Sequence, residues 1–323
     1  MSASTLTRRA LLRSTGLLAG SALVSRYAPI DLRAQAPAAA KQAGIDALNA
    51  RRADMAKAPI QRTRLADNLE LLAGPGGNVV VLHGADGLYL VDNFVRGAWP
   101  QLKAALDAIG GAVKVGIDTH WHFDHADNNA SVHHAGGTIV AHAKTKQRLS
   151  EAHDIIGLHM DPEPAEALPT VTFKDSHQLR ANGEDVVLQY LAPAHTDTDI
   201  LVLFNKANVV HLGDLFFNGS YPFIDASTGG NIDGMVAGAE RALGMVDGST
   251  KIVPGHGPLG DRAALQAYQR MLATVRDRVG GLKSSGKSLA EAQAAKPSAE
   301  FDAQWGNGFM KPDDFVALVY ATL

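Results

Sequence analysis

The segment "DTHWHFDHADNN", residues 118–129, places His120, His122, Asp124 and His125 within six positions. Imidazoles and carboxylates gathered this closely cost free energy inside a fold unless something compensates them. The apolar run before them, 113–120, reads as a short buried strand that ends at the cluster. On an extended chain residues two apart project to the same side, so His120 and His122 can face one way. Asp124 and His125 follow at a turn and can point elsewhere. That arrangement suits two neighbouring metals rather than one. Nitrogen and oxygen ligands without sulfur suit zinc first, with iron or manganese as alternatives. The chain has no cysteine, which excludes disulfides, thiolate metal sites and cysteine nucleophiles.

Three more candidates stand in the same kind of place. His195 follows an apolar run in "APAHTDTD", Asp214 closes "VVHLGD", and His256 sits in "VPGHG". Each marks a strand giving way to a loop, the edge at which α/β sheets take ligands. Flanking glycines and prolines fix tight turns there. The remaining histidines read differently. His133 and His134 fall on a helix surface, and His83 and His211 are core or face residues of strands. His142 ends a strand and is a weak candidate for the cleft. His153, His159 and His177 are candidates for lining a pocket. Trp121 and Phe123 are expected to pack around the site, and residues 216–231 to form a rim or an ordinary covering loop.

Periodicity supplies the frame. Residues 77–94 read as a hairpin, 98–109 as a helix with Trp99, Leu102, Leu106 and Ile109 on one face, and 137–142 as a strand followed by a helix from Lys144. Residues 185–193, 200–205, 208–214 and 250–257 read as strands, and 229–246 and 312–322 as helices. The clearest helix is 261–282, with Asp261 as N-cap and Leu265, Tyr268, Leu272, Val275, Val279 and Leu282 in helical period. Residues 153–170, rich in Pro, Asp and Glu, read as a loop or lid, and 37–66 as a loose helix leading in. The mixture predicts layered α/β architecture in one domain.

Residues 1–36 read as a targeting segment: paired arginines in "TRRALLR", a mildly apolar run over 11–24, then "AQA" as a cleavage signal. This pattern resembles a bacterial twin-arginine export signal and predicts a periplasmic protein. Its removal takes away five arginines and one aspartate, so the net charge of −3 becomes −7. With no basic block beyond the N-terminus, nucleic acid is not expected as a partner. No other run approaches a membrane span. The expected partner is a small-molecule substrate, handled by a domain over 66–323 behind a leading helix at 37–65.

"THWHFDH" (119–125), "AHTDTD" (194–199), "GDLFF" (213–217) and "PGHG" (254–257) together resemble the metallo-β-lactamase superfamily, over roughly residues 66–290. The resemblance implies a four-layer αββα sandwich with metals at one edge. It implies His120, His122 and His195 on a first metal, Asp124, His125 and His256 on a second, and Asp214 bridging them. Asp92, ending "LYLVD", matches an acidic position that supports the site from behind. Many zinc β-lactamases of the best-known subclass carry cysteine where this chain has Asp214, so the resemblance extends to the broader hydrolase branches. It implies a dinuclear zinc hydrolase whose metal-bridging hydroxide attacks a β-lactam, lactone, thioester or other ester, with Asp124 orienting the nucleophile. The first alternative is an iron-dependent oxidoreductase or sulfur dioxygenase; a nuclease of the same fold, disfavoured by the acidic mature charge, and a non-catalytic metal-binding protein, disfavoured by the full ligand set, rank below it.

Overall fold

A computed structural model describes residues 38–191 and 193–323, so the segment read as an export signal lies outside the described residues. In chain order the strands are β1 (Gln61–Ala66), β2 (Leu69–Gly74), β3 (Gly77–Leu82), β4 (Leu88–Val91), β5 (Val113–Ile117), β6 (Thr138–His142), β7 (His153–Ile155), β8 (Leu158–Met160), β9 (Val171–Phe173), β10 (Ser176–Ala181), β11 (Glu184–Tyr190), β12 (Ile200–Phe204), β13 (Val209–His211) and β14 (Lys251–Val253). The helices are α1 (Ala38–Met55), α2 (Trp99–Ile109), α3 (Phe123–Ala126), α4 (Asn129–His134), α5 (Ala143–Leu149), α6 (Ile232–Leu243), α7 (Arg262–Ser284), α8 (Leu289–Ala294), α9 (Asp302–Trp305) and α10 (Pro312–Thr322).

β1 to β6 and β9 form a seven-stranded sheet, β10 to β14 a five-stranded one, and β7 pairs with β8 in a two-stranded one. In the first sheet β1 to β4 run as an antiparallel meander, and β4, β5, β6 and β9 run parallel. In the second, β10 to β13 are antiparallel and β14 joins β13 in parallel.

Strand alternation sorts the apolar residues into layers. Leu69, Leu71, Val80 and Leu82 of the first sheet meet Val186, Leu188, Ile200 and Val202 of the second between the sheets. The alternate residues Leu72, Val79 and Val81 turn outward against Leu102 and Leu106 of α2. On the far side Leu201, Val210 and Ile252 turn outward against α6, α7 and α10. Both sheets are therefore apolar on two faces, which demands a helix layer on each outer side. Fully burying each such side chain stabilises by about 1.5–3 kcal/mol, so the four layers hold one another. This is the expected αββα sandwich, and residues Ala38–Leu323 form one compact unit.

Several elements differ from the sequence reading. The span 37–66 contains α1 but closes with β1, an edge strand whose "QRTRLA" is mostly exposed and lacks apolar alternation. The expected loop at 153–170 contains the β7–β8 hairpin. β2, β9, β10, α8 and α9 were not anticipated. The predicted strands over 113–120, 208–214 and 250–257 stop earlier, at Ile117, His211 and Val253. The chain beyond each is then free to turn, and that is where the polar groups stand.

Candidate metal centre

The parallel strands β4, β5, β13 and β14 all end at one edge of the sandwich. Asp92 follows β4, His120 follows β5, Asp214 follows β13 and His256 follows β14. His195 lies between β11 and β12. The structure brings all seven sequence candidates together as two groups: His120, His122, His195 and Asp214, and Asp124, His125 and His256. Within each group the ligand atoms lie within 4.8 Å of one another.

Asp214 joins the groups. Its Oδ2 lies 3.4 Å from His195 Nε2 and 3.9 Å from His120 Nε2. Its Oδ1 lies 3.1 Å from His125 Nε2 and 3.2 Å from His256 Nε2. Asp124 Oδ2 stands 3.5 Å from His256 Nε2 and 4.0 Å from His125 Nε2. Gly255 is required beside this carboxylate, because a Cβ there would fall 2.0 Å from Asp214 Oδ1.

Four of the five rings are oriented from behind. Asp92 accepts from His125 Nδ1 at 2.7 Å and from the Thr119 backbone N–H at 2.8 Å. The Thr119 hydroxyl donates to Asp92 at 2.9 Å and stands 3.1 Å from His120 Nδ1. The Phe223 carbonyl accepts from His195 Nδ1 at 2.8 Å. Asp225 Oδ2 accepts from His122 Nε2 at 3.2 Å, which turns His122 Nδ1 inward to 2.9 Å from His195 Nε2. In His120, His125 and His195 the inward atom is therefore Nε2, and in His122 it is Nδ1.

Burial sets the electrostatics. It pulls His120 well below the ordinary imidazole value and His195 to about 4. At His125 and His256 burial pulls the same way, but Asp214 and Asp124, with Asp92 at His125, outweigh it and raise both. Burial pushes the Asp214 carboxyl up, yet the four facing histidines hold it well below the usual carboxylate range. Among the described residues, His120 Nε2 and Asp214 Oδ1 are buried without a hydrogen-bond partner. Such groups are costly alone and become favourable once a cation joins them, so these residues fit a metal. An all-nitrogen-and-oxygen donor set of this kind suits zinc, iron or manganese.

The other histidines fall as follows. His133 and His134 are exposed on α4. His211 is a satisfied core residue: Asn78 O lies 3.1 Å from its Nε2, and its Nδ1 accepts from the Gly213 N–H. His83 is half-buried just past β3. His142 caps α5 and stacks on Tyr190 rather than entering the cleft. His153, His159 and His177 do not line the cavity above the centre; they pack on Trp121, pair with Asp154, and stack on Phe173, respectively. Phe217, Ser220, Tyr221 and Phe223 do line that cavity, so part of 216–231 is its rim. Sequence reasoning missed Asp225, which holds His122 although 103 residues separate them. It lies in "IDAST" as the head of a turn, accepting from the Ser227 N–H and the Thr228 hydroxyl, and no local pattern marks its second role.

Comparison with known proteins agrees with this architecture. No curated protein matches the chain. Among solved structures it is similar to a metallo-beta-lactamase from Pontibacter korlensis, with TM-score 0.57 and 17% identity over 66% of this chain and 99% of that one. It is also similar to the DIM-1 metallo-beta-lactamase, with TM-score 0.54 and 19% identity over 67% of this chain and 98% of that one. At these identities the likeness is one of fold. A family model described as the metallo-beta-lactamase superfamily matches residues 73–268, which covers β3 to β14 and all seven residues of the centre. The chain belongs to the metallo-beta-lactamase superfamily.

Proposed function

We propose that this protein is an exported, dinuclear zinc hydrolase of carbonyl-type substrates such as β-lactams, lactones, thioesters or other esters. The observation that carries the reading is Asp214, whose two oxygens face two separate groups of imidazoles. His120, His122 and His195 would hold one ion, Asp124, His125 and His256 the other, with Asp214 shared. Zinc ions there would lower the pKa of a water toward neutrality and polarise the scissile carbonyl.

The chain's own residues do the rest. Asp92, Asp225, Thr119 and the Phe223 carbonyl fix the ring orientations before substrate arrives, so little reorganisation is left for the reaction. Asp124 lines the cavity and is placed to accept a hydrogen bond from the attacking water and pass its proton to the leaving group. Phe217 and Phe223 border the same space with apolar surface. The paired arginines of the N-terminal segment support a periplasmic site of action.

The test is metal content of the purified protein followed by an ester, thioester, lactone and β-lactam panel on the same sample. Two zinc ions per chain with chelator-sensitive hydrolysis are expected. Iron in place of zinc, or one ion with no hydrolysis, overturns the reading.

A further inference from the structure

The cavity above the centre holds about 280 Å³ and is floored by His122, Asp124, Asp214 and His256. Its walls have another chemistry. Ile155, Ile156, Leu158 and Met160 come from the β7–β8 hairpin, and Met55 from α1. Two large apolar side chains left open to solvent stand on this cavity, Ile156 at 41% exposed and Phe309 at 53%. Leaving such surface in water forgoes burial energy, and grouping it around one opening marks a binding site. Ile156 also holds φ at 44°, a conformation that a β-branched residue avoids. The hairpin tip thus keeps backbone strain at the point where this side chain meets the cavity.

One wall residue is charged. Arg51 of α1 sets its guanidinium 4.3 Å from the centroid of the Phe309 ring. Its neighbour Arg52 is engaged by Asp127 and Glu163, whereas among the described residues Arg51 has no ion pair. Stacking on a ring occupies the guanidinium face and leaves its N–H edges available, and those edges match a carboxylate. Arg51 and Phe309 both lie outside residues 73–268, the span that matches the family. The floor residues lie within that span. α1 is held against the hairpin at Gly44, where a Cβ would meet His159 Cβ at 2.8 Å.

We infer that the substrate is an amphipathic carboxylate: its scissile carbonyl over Asp124 and Asp214, an apolar acyl or aryl body along the hairpin wall, and its carboxylate held by Arg51. This rests on the hydrolase reading and narrows it to a substrate class. In the reaction the hydroxyl of water bonds to the carbonyl carbon, the bond from that carbon to the leaving atom breaks, the proton of the water goes to the leaving atom, and the distant carboxylate is unchanged.

Calorimetric titration of octanoate and of octanol into the full chain, with metal removed by chelator, reads the cavity without turnover. Octanoate is expected to bind, Arg51→Met to weaken it about tenfold or more, and octanol to change less than about twofold. Phe309→Ala, at an exposed position, is expected to weaken both. No octanoate binding by the wild type, or equal binding by Arg51→Met, overturns the inference. With zinc restored, Arg51→Met should raise KM for a carboxylate-bearing aryl ester and leave KM for its neutral counterpart unchanged. Ester hydrolysis with no such selectivity defeats the inference while the hydrolase reading stands. Arg51-dependent octanoate binding without hydrolysis of any ester defeats the hydrolase reading while the carboxylate assignment stands.

Discussion

Asp225 holds the ring of His122 from behind, its Oδ2 3.2 Å from His122 Nε2, and thereby selects Nδ1 as the atom that faces His195. The carboxylate is itself fixed by the Ser227 N–H and the Thr228 hydroxyl. An acidic partner of this kind sets both tautomer and ring angle. Asp225→Ala should therefore lower zinc affinity about 10–100-fold, measured by competition with a chromophoric chelator, in a protein that still unfolds cooperatively. Unchanged affinity would remove Asp225 from the centre.

Asp214 is the residue both groups share, so its loss should be felt by both. Asp214→Ala should bind no more than one zinc ion per chain and lose at least about a hundredfold in turnover. Elemental analysis after gel filtration reads the first quantity. Full metal content in the variant would refute the shared role.

Acid should separate the two groups. His120 and His195 lie below the ordinary imidazole value, His195 at about 4, because burial disfavours their charged forms. His125 and His256 are raised, because Asp214 and Asp124 outweigh their burial. In metal-free protein the first pair is already neutral through the ordinary histidine range, and a metal displaces no proton from it. A metal at the second pair must displace protons, so its affinity falls as pH falls. Lowering the pH from about 8 to about 6 should release the ion at His125 and His256 first. Simultaneous loss of both ions in a zinc titration against pH would contradict this.

Gly255→Ala tests the close packing of the centre. The new Cβ would sit 2.0 Å from Asp214 Oδ1 and 2.7 Å from the Gly213 carbonyl carbon, and neither can withdraw without moving the turn after β13. A loss of about 1–3 kcal/mol in denaturant unfolding, together with weakened metal binding, is expected. A variant as stable as the wild type would show that this turn yields freely.

Arg52 ties α1 to the motif. Its Nε and an Nη atom meet the two oxygens of buried Asp127 at 2.7 and 2.5 Å, and Asp127 also accepts from the Arg96 N–H. Removing the guanidinium leaves a buried carboxylate underpaired. Arg52→Ala should cost about 1–3 kcal/mol and speed hydrogen exchange in α1. Unchanged exchange in α1 would sever the helix from this contact.

Much of this was legible in sequence because the signals are local. A strand end followed by H-x-H-x-D-H needs only a six-residue window, and His195, Asp214 and His256 each close an apolar run. α7 announces itself through its N-cap Asp261 and its apolar period. The edge strand β1 was harder: it faces solvent for most of its length, so its residues carry little of the alternation by which a strand is read. The β7–β8 hairpin was hidden in a segment whose composition reads as loop.

Sequence alone picked out the seven candidate residues, their nitrogen-and-oxygen chemistry and the layered class of the fold, since these follow from residue type and short-range period. Only the tertiary structure decided that these residues form two groups joined by Asp214, that Asp225 selects the inward nitrogen of His122, and that Arg51 and Phe309 reach the cavity. Those relations join residues far apart in the chain, brought within hydrogen-bond or van der Waals reach by the packing of two sheets and by α1. Hydrogen bonds, ion pairs and ring stacking act over a few ångströms of space and leave no periodic trace along the sequence.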